Sequence, residues 1–159
     1  MKAKKIVKVG LIVFVVGALA AGAIVIYLFN KPHRDVQNTD IDFKSNASDL
    51  VAEYLSDPTK ANEKYLDEEG NSKIMAVTGK VHSVTKDMNN QFVVLLKEES
   101  DKAGVSCTFS AATNSSAEKI SVGQMITIKG VIRSGAGYDA DLDLYEDVVI
   151  EKSDVITEN

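Results

Sequence analysis

The most suggestive chemical pattern in the chain is a set of three aspartates at alternate positions, Asp139, Asp141 and Asp143. Alternating acids open the calcium-binding loop of an EF-hand, which also requires glycine at its sixth position and glutamate at its twelfth. Those positions hold Leu144 and Ile150 here. The pattern therefore favours outward-facing acids on a strand whose leucines face the core. A weak ion site, completed by Glu146 or Asp147, is the alternative.

No other grouping of reactive side chains has the spacing that catalysis or metal binding requires. Gly135–Gly137 leads toward a predicted strand, whereas a phosphate-binding glycine loop leads into a helix. His33 and His82 have no second histidine or cysteine at metal-ligand spacing. Cys107 is the sole cysteine, so it can form no internal disulfide and is expected to be buried and inert. The sequence predicts no catalytic, cofactor-binding or metal site, and hence no enzyme.

The N-terminal segment combines a basic tail with a long apolar run. Val9–Phe29 contains 21 residues without a charged or strongly polar side chain, which matches the roughly 20 apolar residues that cross a bilayer as a helix. Four lysines and no acids precede it in residues 1–8, and a basic flank favours a cytoplasmic N-terminus. We therefore expect a single-pass protein of a bacterial inner membrane, with its C-terminal domain periplasmic or extracellular.

A cleaved signal peptide is the alternative to this membrane anchor. Small-residue cleavage motifs occur at Ala18–Ala20 and Ala21–Ala23. Cleavage there would leave the apolar residues Ile24–Phe29 exposed to water, which is unfavourable. The apolar run is also longer than the core of a signal peptide. The uncleaved anchor is therefore the preferred interpretation, and the domain is exported in either case.

The remainder of the chain divides into a linker, a domain and a tail. Residues 30–45 are polar and contain Pro32, which predicts a linker. A domain is predicted over residues 46–151, followed by a frayed tail at residues 152–159. Within Asn46–Leu66, apolar residues recur at helical spacing and Asp57-Pro58 interrupts them. This segment is therefore expected to form two short helices or one kinked helix.

Five strands are expected between Lys73 and Glu151, because the apolar period there becomes two. They are Met75–His82, Gln91–Lys97, Val105–Phe109, Ile126–Val131 and Asp141–Glu151. A short helix is predicted near Ser116–Ile120, behind a capping pattern of Ser115 and Glu118. Three strands, a helix and two strands follow the order of an OB fold, a five-stranded Greek-key barrel.

The strand pattern also predicts the core and the curvature of the barrel. The expected core residues are Val77, Val81, Val105, Cys107, Phe109, Ile126 and Ile128. Gly79 and Gly130 lie inside predicted strands, where glycine usually marks a bulge or bend. Phe92–Leu96 is apolar on both faces, so its outer face must be covered by the N-terminal helices, which is the preferred interpretation, or by a partner.

Four segments of the chain resemble the tRNA_anti-like family of bacterial OB-fold proteins. They are Ala61–Tyr65, Val77–Val81, Gly104–Phe109 and Val122–Gly130. The resemblance covers about Asn46–Glu151 and implies an OB-fold domain of a family whose members are often exported. Its motifs are structural, so it implies no functional residues.

OB domains bind ligands on the face of their second and third strands and on the loops after the first and fourth. Those positions hold Lys86, Asn89, Asn90, Ser106, Thr108, Arg133 and Tyr138. This candidate surface lacks the aromatic platforms and the basic groove of nucleic-acid-binding OB domains. Beyond residue 30 the chain carries 14 basic and 23 acidic side chains, a net charge of −9 that repels a polyanion.

The sequence thus indicates a membrane-anchored binding or scaffold module without a cofactor. Its expected partner is a protein, a peptide or a glycan of the cell envelope. A nucleic-acid-binding OB domain is the second interpretation, and an enzyme or weak metal-binding domain is the third. The oligomeric state is left open.

Overall fold

The computed structural model describes residues 16–18, 20–26, 35–68 and 70–156. Residues 16–18 and 20–26 are helical. The remainder of the predicted span Val9–Phe29 lies outside the described residues, as do residues 1–8. Within the described part, no helix has the length and hydropathy needed to cross a membrane. The chain divides into two units, residues 1–34 and 35–159, and the elements below belong to the second.

The second unit begins with one short strand and two helices, β1 (Phe43–Asn46), α1 (Ala47–Ser56) and α2 (Pro58–Tyr65). Asp57 separates the helices, and its carboxylate caps α2 by accepting the Lys60 N–H at 3.1 Å. Pro58 occupies the first turn of α2, where a missing N–H breaks no hydrogen bond. Of the two predicted alternatives, the structure has two short helices rather than one kinked helix, and their buried stripe includes Leu50, Tyr54, Ala61 and Tyr65.

Within residues 70–156, seven further strands and one short helix follow. They are β2 (Ile74–Lys86), β3 (Phe92–Leu96), β4 (Val105–Phe109), α3 (Asn114–Ala117), β5 (Met125–Ser134), β6 (Gly137–Asp139), β7 (Leu144–Glu146) and β8 (Val148–Ile156). Strands β2, β3, β4, β8 and β5 pair in that order, and β5 pairs back with β2. The β4–β8 pair is parallel. This closed sheet confirms the predicted five-stranded OB-like barrel.

The barrel interior holds the residues that the alternation predicted. All seven are buried, namely Val77, Val81, Val105, Cys107, Phe109, Ile126 and Ile128. Helix α1 adds Leu50 and Tyr54 to the same core. Burial raises the pKa of the Cys107 thiol, because a thiolate would lose its hydration there. Cys107 is accordingly a structural core residue.

The fifth barrel strand lies later in the chain than the sequence predicted. The prediction placed it at Asp141–Glu151 with its leucines inside, but Leu142 is 67% exposed and Leu144 is 42% exposed. Strands β6 and β7 instead form a separate hairpin, and β8 closes the barrel up to Ile156. The prediction was wrong because apolar and polar residues alternate both in the hairpin and in β8, and the two consecutive segments were therefore read as one strand. The polar C-terminal segment is therefore a barrel strand as far as Ile156.

The short helix also begins earlier than predicted, and the capping box is wrong. Helix α3 begins at Asn114, with Thr113 at its N-cap and Ser115 within its first turn. The Thr113 hydroxyl donates to the Ser153 carbonyl oxygen of β8 at 2.7 Å. The Asn114 carboxamide oxygen accepts the Phe92 N–H at 2.8 Å. These two bonds fix the start of α3 to the barrel.

Residues 35–42, here called the strap, lie on the outer face of the barrel. Val36 is 2% exposed and packs in a second small core with Ile74 and Val131. The strap continues into β1, which pairs in parallel with β2 from Phe43 to Asn46. Most of the segment predicted as a linker, from residue 35 onward, is therefore part of the folded unit. Residues 30–34 lie outside the described part.

Backbone carbonyls of the strap hold a buried ammonium group. Lys129 of β5 is only 8% exposed, and its Nζ donates to the carbonyl oxygens of Gln37 at 2.9 Å and Thr39 at 2.5 Å. A buried ammonium is costly unless its protons find acceptors. The strap thus supplies both apolar cover and the acceptors that Lys129 requires.

The two strand glycines have different structural roles. Gly130 lies at a register shift between β5 and β8, which occurs between Lys129 and Val131. This confirms the predicted bulge. The register shift of β2 against β3 lies between Val81 and Ser83, beyond Gly79. A Cβ at Gly79 would lie 2.9 Å from the Ala47 Cβ, so this glycine allows α1 to approach β2 closely.

Candidate ligand-binding site

The structure distributes the seven predicted surface residues over the two ends and one face of the barrel. Lys86, Asn89 and Asn90 lie at the β2–β3 turn, Ser106 and Thr108 on β4, Arg133 on β5 and Tyr138 on β6. Because β2 and β5 are antiparallel, the turns that follow them lie at opposite ends of the barrel. The seven residues are therefore separated into groups with different surroundings.

Polar side chains at the β2–β3 turn stabilise the turn itself. The Asp87 carboxylate accepts the N–H groups of Asn89 at 2.8 Å and Gln91 at 2.9 Å. The Asn114 amide donates to the Asn90 carbonyl oxygen at 3.2 Å. The Lys86 Nζ lies 4.5 Å from the centroid of the Phe92 ring. These contacts account for the residue types at this end of the barrel without a ligand.

The outer face of β3 and β4 carries aliphatic side chains flanked by serine and threonine hydroxyls. Leu95 lies between Ser83 and Ser106 in register, and Val93 lies between Thr85 and Thr108. Val93 and Leu95 are half-buried, as are the two β4 hydroxyl residues. The N-terminal helices were expected to cover this face, but helix α1 makes its main sheet contacts with β1, β2 and β6. None of these six outward residues offers the aromatic or basic group on which nucleic-acid-binding OB faces rely.

Arg133 belongs to a separate cleft. Its Nε donates to the Glu151 Oε2 at 2.8 Å, and the two side chains form a salt bridge. The same arginine lines a cleft of about 470 Å³ with residues at the end of α2, including Glu63, Asp67 and Glu68. The positive charge of Arg133 is therefore offset by neighbouring acids.

Tyr138 lies in a group of aromatic side chains that the sequence did not reveal. Its ring centroid is 4.9 Å from that of Tyr145 across the β6–β7 hairpin. The Tyr138 hydroxyl donates to the Asp143 carboxylate at 2.5 Å, which raises the pKa of Tyr138. The Lys102 Nζ donates to the Tyr145 hydroxyl oxygen at 3.2 Å and lies 5.2 Å from its ring centroid.

A cavity of about 360 Å³ opens between the hairpin and the junction of α1 and α2. Its walls include Tyr54, Leu55, Pro58, Lys102, Tyr138 and Tyr145. A volume of this size is in the range of small-ligand sites, which are typically apolar with a few polar groups. The cavity therefore combines three tyrosine rings with one cation.

Tyr54 forms the most buried wall of this cavity. It is 0% exposed, and its hydroxyl has no hydrogen-bond partner among the described residues. Burial raises the pKa of Tyr54 to about 12. A Cβ at Gly135 would lie 1.9 Å from the Tyr54 ring, so the base of the hairpin packs directly on this side chain. Leaving a buried hydroxyl unpaired costs about 1–3 kcal/mol.

The three aspartates at alternate positions lie in the β6–β7 hairpin. The prediction that they lie on a barrel strand is wrong. The Asp139 carboxylate accepts the N–H groups of Asp141 at 2.8 Å and Leu142 at 3.0 Å, because the chain turns there. Asp143 accepts the tyrosine hydroxyl described above. Among the described residues, no group of three or more metal-ligating side chains comes together. The structure gives no support to the weak ion site.

The functional candidates that sequence reasoning missed are Tyr145, Lys102 and Tyr54. Tyr138 and Tyr145 flank an aspartate-rich turn, which is a possible hairpin signal. Lys102 lies 43 residues from Tyr145 in the chain, and no local pattern connects them. The fold alone brings them together.

Comparison with known proteins assigns the chain to a family. The tRNA_anti-like family model matches residues 1–141. The chain belongs to the tRNA_anti-like family. This confirms the resemblance found in the sequence, over a longer range of the chain. No curated protein matches this tRNA_anti-like chain.

Solved structures support the fold of this tRNA_anti-like domain. One match is a crystal structure from Klebsiella pneumoniae subsp. pneumoniae MGH 78578, described as a "putative nucleic acid-binding lipoprotein". It is 16% identical, with a TM-score of 0.54, and the match covers 79% of this chain and 99% of that chain. At this identity the likeness shows a common fold.

Proposed function

We propose that this protein is a binding module whose OB domain holds a protein or peptide partner at its β6–β7 hairpin. The observation that carries the proposal is an exposed apolar group on the hairpin, here called the hairpin surface. Its members and exposed fractions are Tyr138 52%, Leu142 67%, Leu144 42% and Tyr145 36%. Four exposed apolar side chains within one short hairpin favour an interaction site.

The position of the hairpin in the fold supports this assignment. It forms the loop between the fourth and fifth barrel strands, which is one of the loops that OB domains use for ligands. Strands β6 and β7 form a two-stranded sheet of their own, so they can accept an added strand. Aliphatic leucines beside tyrosines favour a polypeptide partner over a glycan, because sugars bind mainly through aromatic stacking and polar groups. That the protein is not an enzyme stays a prediction from the sequence.

We further propose that residues 9–29 anchor the protein in a bacterial inner membrane and that the domain lies on the outer side. The apolar run behind four lysines supports this proposal. The full-length protein should remain in the membrane fraction after alkaline extraction. Full-length protein recovered in the soluble fraction would contradict the anchor.

Replacing both hairpin leucines should weaken capture of the partner. The Leu142→Ser, Leu144→Ser double variant removes apolar contact area without disturbing the barrel core, because both side chains are exposed. Apolar contacts at the centre of an interface are each worth about 1 kcal/mol, so the loss of two should weaken binding about thirtyfold and lower recovery accordingly. The measurement is a crosslinking pull-down from native envelope extract, quantified by mass spectrometry.

A matched control for this variant is Val122→Ser. Val122 is an aliphatic side chain with 67% exposure, and it lies in the turn before β5, outside the hairpin. Its substitution should leave recovery unchanged. Equal recovery of every captured protein by the wild type and the double-leucine variant would contradict the proposed function.

Binding of single-stranded nucleic acid is the second candidate. The description of the Klebsiella protein favours it, and the paired tyrosines with Lys102 could stack and pair with a nucleotide. The net charge of −9 beyond residue 30 opposes it. Fluorescence anisotropy with single-stranded RNA and DNA at low salt should show no binding. Micromolar binding that weakens steeply as salt rises would establish this function instead.

A further inference from the structure

We infer that the hairpin surface recognises a cationic aliphatic segment, in which lysine or arginine side chains alternate with apolar ones. This inference rests on the proposed function and specifies the chemistry of the partner. Three features of the hairpin carry it: unneutralised carboxylates, exposed apolar side chains between them, and a tyrosine ring that already holds an ammonium group.

The hairpin concentrates negative charge, and the Lys102 ammonium beside it binds Tyr145 rather than a carboxylate. Five carboxylates lie within its nine residues from Asp139 to Asp147, and no lysine or arginine occurs between Arg133 and Lys152. Within the described part of the chain, none of these five carboxylates forms a salt bridge, whereas Glu53, Glu98 and Glu151 do. A cationic partner would neutralise the exposed ones, Asp141, Asp143 and Glu146, at little desolvation cost.

Two of these carboxylates are free for a partner. Asp141 and Glu146 are exposed, and in the described structure their carboxylates form neither a hydrogen bond nor an ion pair. Asp139, Asp143 and Asp147 accept hydrogen bonds within the domain, and they still contribute charge. Asp141 and Glu146 are therefore the side chains whose neutralisation should alter binding and leave the fold intact.

The apolar side chains lie among these acids. Leu142 lies between Asp141 and Asp143 in the turn of the hairpin, and Leu144 begins β7, so exposed apolar and acidic side chains are close neighbours here. A strand added beside β6 or β7 would turn its successive side chains to opposite faces, so alternating residue types would give it one apolar face and one basic face. The complementary segment is therefore one in which apolar and basic residues alternate.

Tyr145 shows within the domain how the tyrosines bind a cation. The Lys102 ammonium lies 5.2 Å from the Tyr145 ring centroid and donates to its hydroxyl. The neighbouring Tyr138 ring is 52% exposed and has no such cation among the described residues. A lysine or arginine of the partner can occupy this ring face by the same cation–π interaction.

A second copy of this chain does not fit the hairpin surface. Pairing two hairpins would bring their five carboxylates against one another, and like charges placed directly opposite are destabilising. The same charge excludes acidic peptides. The hairpin surface thus selects against self-association as well as for a basic partner.

The test uses the full-length protein in a non-ionic detergent and a fluorescein-labelled decapeptide of alternating lysine and leucine. Fluorescence anisotropy should show saturable binding after subtraction of a protein-free detergent blank. An alternating glutamate–leucine decapeptide and a lysine–serine decapeptide should each bind at least tenfold more weakly. The Asp141→Asn, Glu146→Gln double variant should weaken binding of the lysine–leucine peptide about tenfold.

The matched control is the Glu63→Gln, Glu118→Gln double variant, which removes two exposed carboxylates away from the hairpin. It should bind the lysine–leucine peptide like the wild type. Equal binding by the Asp141, Glu146 variant, or equal binding of the glutamate–leucine peptide, would overturn the inference. The proposed function would then still stand if the double-leucine variant loses its partner in the pull-down. It would fall as well if that variant keeps every partner.

Discussion

A fragment that begins at residue 46 should be much less stable than one that begins at residue 35, by about 5 kcal/mol. The shorter fragment lacks the strap and most of β1. It loses the burial of Val36 against Ile74 and Val131, worth about 1.5–3 kcal/mol. It also loses the two hydrogen bonds from the Lys129 ammonium to strap carbonyls, which together contribute about 1–3 kcal/mol after exchange with water.

Two further contacts are lost in the shorter fragment. The Asp42 carboxylate accepts the Ile74 N–H at 2.7 Å, and the Phe43 ring packs edge-on against Tyr65 at 5.2 Å. Natural domains are stable by only about 5–15 kcal/mol, so these losses remove much of the total. Urea denaturation followed by circular dichroism compares the two fragments. Unfolding midpoints that agree within error would show that the strap is dispensable.

The Gly130→Ala variant should be destabilised by about 3 kcal/mol. A Cβ at this position would lie 2.5 Å from the Ile150 Cγ2 and 2.8 Å from the Glu151 carbonyl oxygen. Both atoms belong to β8, and one of them is backbone, so β5 and β8 would have to separate at the bulge. Overpacking of a core typically costs about 1–3 kcal/mol, and here the barrel seam itself must move.

Gly137→Ala is the matched control for this variant. A Cβ at Gly137 would meet only the Glu146 Oε2, at 3.8 Å, which is an ordinary contact. Its stability should change by about 0.5 kcal/mol or less. Urea denaturation gives the unfolding midpoint of each variant. A shift in the midpoint reports a change in stability when the dependence of the unfolding free energy on urea concentration is unchanged. Similar midpoints for the two alanine variants would contradict the role assigned to Gly130.

Local periodicity predicted the parts of the fold in which each element buries its own apolar face. The two helices at Asp57, the first four barrel strands and all seven core residues follow from spacings of 3.6 and two residues. The strap could not be predicted in this way. It contributes a single buried apolar side chain, Val36, and it holds Lys129 through backbone carbonyls, which are independent of residue type.

The candidate site was only partly predictable for a similar reason. Tyr138 was found because it lies in a loop that OB domains use. Its companions Lys102 and Tyr54 come from other parts of the chain and meet it only after the barrel closes. Alternating leucines and aspartates predict a strand whose leucines face a core. The same sequence pattern occurs here with the leucines exposed to water, so the pattern alone could not distinguish the hairpin from a barrel strand.

The position of β8 has a consequence for how the chain is made. Of the five barrel strands described, β8 is synthesised last, yet it lies between β4 and β5. Until β8 arrives, the facing edges of β4 and β5 carry unpaired N–H and C=O groups, and such edges invite pairing with other chains. A nascent chain that ends at Asp147 has every other barrel strand but cannot close the barrel. The two facing edges of β4 and β5 therefore stay open to pairing with other chains until synthesis has passed Ile156.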